Sequence, residues 1–137
     1  MHYFANISKS EDFYIVGFPD FPNINTYGES LEHAKEMAAE ALNGALESDF
    51  ERGYTLPKQT KIEKRSFYPI KVLPHIELAY KLKQLRSNKS QIELAKELGI
   101  SYQAYQKLEN PRKCNPTIKT LEKISTVLGK NLELVFN

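Results

Sequence analysis

The stretch Ser90-Gln-Ile-Glu-Leu-Ala-Lys-Glu-Leu-Gly-Ile-Ser-Tyr-Gln-Ala-Tyr-Gln-Lys-Leu-Glu-Asn110 predicts two short helices joined by a tight turn. Ser90 can cap the first helix and Glu93 follows three residues later, so hydroxyl and carboxylate can satisfy opposite orphan donors of its opening turn. Leu94, Ala95 and Leu98 form its apolar stripe. Ala95 is small enough for a second helix to cross closely, and Gly99 accepts the positive φ that ends a helix. Ser101 caps the second helix, whose Ala104, Tyr105 and Leu108 should turn back toward the first. Tyr102, Gln103, Gln106 and Lys107 are then left on the outer face, where a helix lying in a major groove meets base edges. An ordinary helical hairpin with a solvated polar face is the competing reading. Tyr105 is large for a helix crossing, and it needs room or a hydroxyl partner there.

The flanks extend the pair. From Ile76 to Arg86, Leu78, Leu82 and Leu85 recur with helical spacing, which predicts a preceding helix packed under the motif. The loop Asn110-Pro-Arg-Lys-Cys-Asn115 cannot be helical throughout, because of Pro111 and Pro116. Pro116 suits the first position of a further helix, Ile118, Leu121, Ile124 and Leu128 supply its buried stripe, and Gly129 ends it. These four helices resemble the Cro and phage-repressor family. The resemblance implies that Tyr102, Gln103 and Lys107, with Gln106, read bases in operator double-stranded DNA, while Gln91, Asn110, Arg112 and Lys113 touch phosphate. Gln103 can bond adenine in bidentate fashion and Lys107 can bond guanine acceptors. Arg112 and Lys113 read equally well as a solvated basic loop. After Gly129, alternating Leu132, Leu134 and Phe136 predict a short terminal strand, which must pair across a two-fold axis or fold back on its own domain. Pairing between copies would make a homodimer, or a higher oligomer, spanning half-sites about 34 to 36 Å apart.

Length and charge bound the remainder. A chain of 137 residues with 41% hydrophobic content fits one medium domain or two small ones. Cys114 is its single cysteine and cannot close an internal disulfide. No apolar run is long enough for a membrane span and no secretory signal is present, so the expected location is the cytoplasm. Up to Pro74 there are eight Lys/Arg against eleven Asp/Glu, a net −3, whereas His75 to Asn137 has eleven against six, a net +5. Positive charge therefore follows the two-helix motif, as a phosphate-binding domain requires.

The first 74 residues follow another pattern. Tyr3 to Ile7 and Phe13 to Phe18 are aromatic and β-branched runs separated by the polar turn Ser8-Lys-Ser-Glu-Asp12, which predicts a hairpin. A rigid corner, Phe18-Pro-Asp-Phe-Pro22, leads to a third strand over Asn25 to Gly28. Ser30 caps a long helix to about Arg52. Ala34, Ala38, Ala41 and Ala45 form a narrow face of it, and Glu32, Glu36, Glu40 and Glu47 the opposite one. Phe67 to Leu73 predicts a last strand, so the order is β, β, β, α, β. The predicted class is α+β, with a βββαβ domain over residues 1–74 and an all-α domain with a short terminal strand over residues 75–137.

The run Phe18-Pro-Asp-Phe-Pro-Asn-Ile-Asn-Thr-Tyr-Gly-Glu-Ser-Leu-Glu-His-Ala34, with the helix after it and Gly53-Tyr-Thr-Leu-Pro57, resembles the signature of the HicB antitoxins. With the two-helix motif included, the likeness spans almost the whole chain. It implies a partial RNase H-like N-terminal domain that covers HicA, a small RNA-cleaving toxin with a double-stranded-RNA-binding fold and a catalytic histidine. It also implies a C-terminal domain that dimerises and represses the operon encoding both proteins. Asn23 stands where glycine is usual, His33 where an acid is usual, and Lys58-Gln59 follow Pro57. Two surfaces are candidates for covering the toxin: the helix face carrying Glu36 and Glu40, or the corner with Phe18, Asp20 and Phe21. Up to Leu56, three basic against ten acidic residues give a net −7, which complements a basic RNA-binding partner.

Catalysis does not fit these residues. Two-metal hydrolysis needs several carboxylates converging on ions about 3.5 to 4 Å apart. Met1 to Ser8 contains none, Asp20 lies in a proline corner suited to an Asx-turn, and the helix glutamates fall on the solvated face. His2, His33 and His75 have no metal-ligand spacing, and Cys114 has no base near it in the motif. No catalytic residue, metal ligand or cofactor is expected. Two further functions remain alongside an antitoxin: a transcriptional regulator whose N-terminal domain senses a small ligand, and a metal-dependent nuclease.

Overall fold

Alternation of apolar and polar residues from His2 to Gly28 builds three antiparallel strands, β1 (His2–Ser10), β2 (Phe13–Phe18) and β3 (Phe21–Gly28). The computed structural model describes residues 1–137 and divides into two compact units, Met1–Glu77 and Leu78–Asn137. In the first unit the strands are followed by helix α1 (Leu31–Glu51) and strand β4 (Phe67–Lys71), and the sheet order is β3-β2-β1-β4. Every neighbouring pair is antiparallel.

The hairpin is tighter than predicted. Ser8, Lys9 and Ser10 pair with Ile15, Tyr14 and Phe13, so the turn is reduced to Glu11 and Asp12. Polarity of the side chains did not prevent ladder formation, because the backbone groups pair whatever the side chains are. Strand β3 likewise begins at Phe21 and includes Pro22 and Asn23. It lies at the sheet edge, where a proline that cannot donate is tolerated. The corner thus shrinks to Pro19-Asp20, and Asn23 needs no left-handed conformation.

Helix α1 covers one face of this sheet. Ser30 caps it, its hydroxyl accepting the His33 N–H at 3.0 Å, while His33 Nδ1 accepts the Glu29 N–H at 3.0 Å. The imidazole stands at the capping-box position but accepts the N–H one residue before the cap. The buried stripe is Ala34, Ala38, Leu42 and Leu46, with Ala41 and Ala45 at its margin. That corrects the all-alanine face. Near the helix start Gly28 leaves no space: a Cβ on it would run into the Ala34 backbone. Asn43, also buried, donates to the Ala39 and Lys71 carbonyls and accepts the Leu73 N–H, fixing the chain after β4. The core beneath α1 contains Tyr3, Ala5, Ile7, Val16, Phe18, Phe21 and Ile70.

Four helices follow: α2 (Pro74–Arg86), α3 (Gln91–Leu98), α4 (Tyr102–Leu108) and α5 (Ile118–Val127). Leu82, Leu94, Ala95, Leu98, Tyr105, Leu108 and Ile124 form one buried cluster, with Leu78, Ile100, Val127 and Leu128 packed on it. Three expectations are corrected here. Leu85 and Ile118 are exposed: each has the spacing of its stripe but lies in the terminal turn of its helix. Thr117, not Pro116, opens α5, its hydroxyl accepting the Thr120 N–H at 3.1 Å. Leu132–Phe136 forms no strand: a strand needs a ladder partner, and this segment has none within the chain. No helix is long and apolar enough to cross a membrane.

Candidate functional site

Both helices of the motif begin where serine predicts. Ser90 Oγ accepts the Glu93 N–H and Ser101 Oγ accepts the Ala104 N–H, each at 3.0 Å. Between them Gly99 adopts φ +70°, ψ +30°, the left-handed cap that closes α3 and lets the chain reverse. Leu94, Ala95 and Leu98 of α3 face Tyr105 and Leu108 of α4 in the buried cluster. Ala104 does not join them: it is exposed beside Gln103 and Lys107, because two inward residues suffice for a helix of seven. Tyr102, Gln103, Gln106 and Lys107 are all exposed on that same outer surface.

The pose of α4 is set by residues immediately after it. Glu109 is 1% exposed, and its carboxylate accepts Arg86 Nε at 2.7 Å, Arg86 Nη2 at 3.0 Å and Gln91 Nε2 at 3.1 Å. Arg86 Nη1 also donates to the Lys89 carbonyl at 2.8 Å. The ends of α2 and α4 and the start of α3 therefore converge on one buried carboxylate. Burial works to raise the Glu109 pKa, but Arg86, followed by Tyr105 and Gln91, overcomes it and holds the group below the usual carboxylate range. The same hydrogen bond keeps Arg86 charged. Tyr105 is fully buried, and its hydroxyl stands close to Glu109 and Arg86 without completing a hydrogen bond. Burial, then Glu109, pushes that hydroxyl far above its ordinary range. The room that Tyr105 requires is thus present, while its hydroxyl remains without a completed hydrogen bond.

Beyond Glu109 the loop is shaped by Asn110. Its side-chain oxygen accepts the Arg112 N–H at 3.0 Å, and its carbonyl accepts the N–H groups of Lys113 and Cys114 at 3.0 and 2.8 Å. Pro111 and Cys114 point inward, and Arg112 and Lys113 outward. Burial raises the Cys114 thiol to about 11, which makes it a packing group and not a nucleophile. Of the four phosphate candidates, Arg112 and Lys113 are exposed, Asn110 is half-buried, and Gln91 gives one amide N–H to Glu109 while retaining the other.

In the first unit the two aromatic rings of the corner turn inward, while Pro19, Pro22 and Asn23 stay exposed. Phe18 and Phe21 are buried, with Phe21 edge-on to Tyr3 at 4.7 Å and to Phe18 at 6.2 Å. Asp20 makes no Asx-turn. Its carboxylate accepts the Thr60 N–H at 3.1 Å and the Thr60 hydroxyl at 2.7 Å, pinning the long loop before β4. Tyr3 donates to the Pro57 carbonyl of that loop at 2.6 Å. Burial, reinforced by Asp20, raises its hydroxyl to about 12. Glu36 and Glu40 stand exposed on α1. No group of three or more His, Cys, Asp or Glu side chains is gathered so that it could hold a metal ion, so the carboxylate convergence that a nuclease needs is missing.

Residues 2–74 match the family described as HicB_like antitoxin of bacterial toxin-antitoxin system, and residues 79–135 match a helix-turn-helix family. Antitoxin HicB 2 of Photorhabdus laumondii subsp. laumondii is 32% identical over 136 residues, covering 98% of this chain and 96% of the relative. Antitoxin HicB 1 of the same organism is 31% identical over 122 residues, covering 88% and 77%. Antitoxin HicB of Escherichia coli is 30% identical over 125 residues, covering 89% and 88%. Likeness of this extent, running through both units, means that the chain belongs to the HicB family of antitoxins and is a regulatory protein, not an enzyme.

Proposed function

We propose that this antitoxin binds and occludes a HicA-type, RNA-cleaving toxin with its N-terminal unit and represses its own operon with its C-terminal unit. The observation that carries the reading is the union, in one chain, of an antitoxin domain with a capped two-helix motif whose outer face is open and whose inner face is locked by Glu109. Tyr102, Gln103 and Lys107, with Gln106, would read base edges, and Arg112, Lys113, Asn110 and the remaining amide N–H of Gln91 would meet phosphate. Both activities belong in the cytoplasm, where operator DNA and messenger RNA are found. Two copies would meet through Leu132, Leu134 and Phe136. Phe136 is 98% exposed, and a second copy would supply the ladder partner that the single chain lacks.

Expression with the adjoining reading frames tests the antitoxin reading. A small basic protein should copurify with the chain, and its toxicity should be relieved by co-expression. Failure of both would return the N-terminal unit to the ligand-sensor alternative.

A further inference from the structure

Only one face of the N-terminal sheet is covered by α1. Cross-strand pairing sets Ser10 opposite Phe13, Ser8 opposite Ile15, and Ile15 opposite Tyr27, so these side chains share the face turned away from the buried Ile7 and Val16. Phe13, Ile15 and Tyr27 are 46, 50 and 59% exposed, and the rings of Phe13 and Tyr27 meet edge to face at 5.4 Å. With Ser10, Glu11 and Asn25 they line a shallow concavity of about 500 Å³. Three large apolar groups kept together in water mark a surface meant to be covered.

Charge selects what covers it. Glu11 is the one charged side chain lining the concavity. Lys9 pairs with Tyr14 and lies on the opposite face with Ile7, while Asp12 and Glu29 are exposed at the turn and just beyond β3. Glu11 stands at φ +55° in the two-residue turn, a conformation that glycine adopts without strain. The chain keeps a carboxylate where the backbone favours glycine, and that carboxylate lines the patch. A single-stranded nucleic acid could stack on the rings but would bring phosphates to an acidic rim, and a second copy would bring the same carboxylates. A guanidinium or ammonium group over an aromatic ring with a carboxylate beside it satisfies both features.

We propose that this bare sheet face is where the N-terminal unit docks its toxin, through a cationic side chain seated among Phe13, Tyr27 and Glu11. The proposal rests on the antitoxin reading and adds the contact surface to it: the α1 carboxylates steer the encounter, and the sheet face holds the complex.

The probe is the purified product of the adjoining reading frame, measured for association and dissociation with the full chain. Phe13→Ser combined with Tyr27→Ser is expected to raise the dissociation rate about tenfold or more. Glu11→Gly should weaken binding about threefold or more while leaving the thermal midpoint unchanged or raised, because glycine relieves the turn. That variant decides the matter alone if the double variant fails to fold. Dissociation within about twofold of wild type for the variants overturns the proposal. So does a double variant that loses self-association with its toxin affinity intact, since the face is then a seam between copies. A wild-type chain that binds no such product overturns the antitoxin reading itself, and this surface with it.

Discussion

Glu109 is almost shut off from water, and an ion so placed is tolerable only because its partners meet it with good geometry. Arg86→Ala leaves that charge uncompensated and is expected to lower the free energy of unfolding by about 3 kcal/mol, read from urea denaturation of the full chain. The same carboxylate is expected to contribute to the loss of stability in acid. Its folded pKa is depressed, so its stabilisation is complete above the ordinary carboxylate range and lost as pH falls through the depressed value. Glu109→Gln should therefore flatten the fall of the thermal midpoint in acid, and an unchanged fall would assign it to other carboxylates. The demand made by Tyr105 was legible in the sequence, because the motif fixes which position crosses the partner helix. The buried ion pair beside it was not. Arg86 and Glu109 are 23 residues apart, and their meeting depends on where α2 ends, which apolar periodicity does not specify.

At the scale of elements, each start marked by a serine is a helix start, and the apolar stripe of α3 lies where its spacing predicts. Boundaries set by backbone pairing were harder to see. Ser8 to Ser10 and Phe21 look like loop in composition, yet their pairing with β2 draws them into strands, with Pro22 and Asn23 carried along in the irregularity of register between Gly17 and Phe18. The approach of β3 to α1 was equally hidden, since it rests on the missing side chain of Gly28. Gly28→Ala forces a Cβ into the Ala34 backbone and is expected to cost about 2 to 3 kcal/mol, again by denaturation. A neutral result would mean that α1 can lift from the sheet without loss. On α4, Gln103→Ala should relax sequence preference with a loss of about 1 to 3 kcal/mol on the preferred operator, whereas Arg112→Ala should weaken all sequences and lower the salt dependence of binding. Mobility shifts on specific and scrambled DNA separate the two. A uniform loss from Gln103→Ala would contradict base reading.

For the whole molecule, the division of charge is the feature that joins the two proposed activities. Ten carboxylates against three basic groups up to Leu56 suit a cationic protein partner, and the net +5 after Pro74 suits phosphate. Glu36→Lys with Glu40→Lys should slow toxin association and reduce its dependence on salt, with dissociation little changed, because those exposed carboxylates act over distance. Equal association rates would remove α1 from the encounter. Composition and spacing pointed to two differently built halves, and the run from Phe18 to Ala34 carried the resemblance to the family. The corner with Phe18 and Phe21 was one of two candidate partner surfaces, the acidic face of α1 the other, and the structure buries both rings, because two aromatics flanking a proline corner close the core under Tyr3. The most direct measurement of the central claim is an RNA-cleavage assay with the adjoining gene's product, titrated with the full chain. Cleavage should fall in proportion to added chain and cease near stoichiometric amounts. Undiminished cleavage in the presence of excess, folded chain would contradict the account.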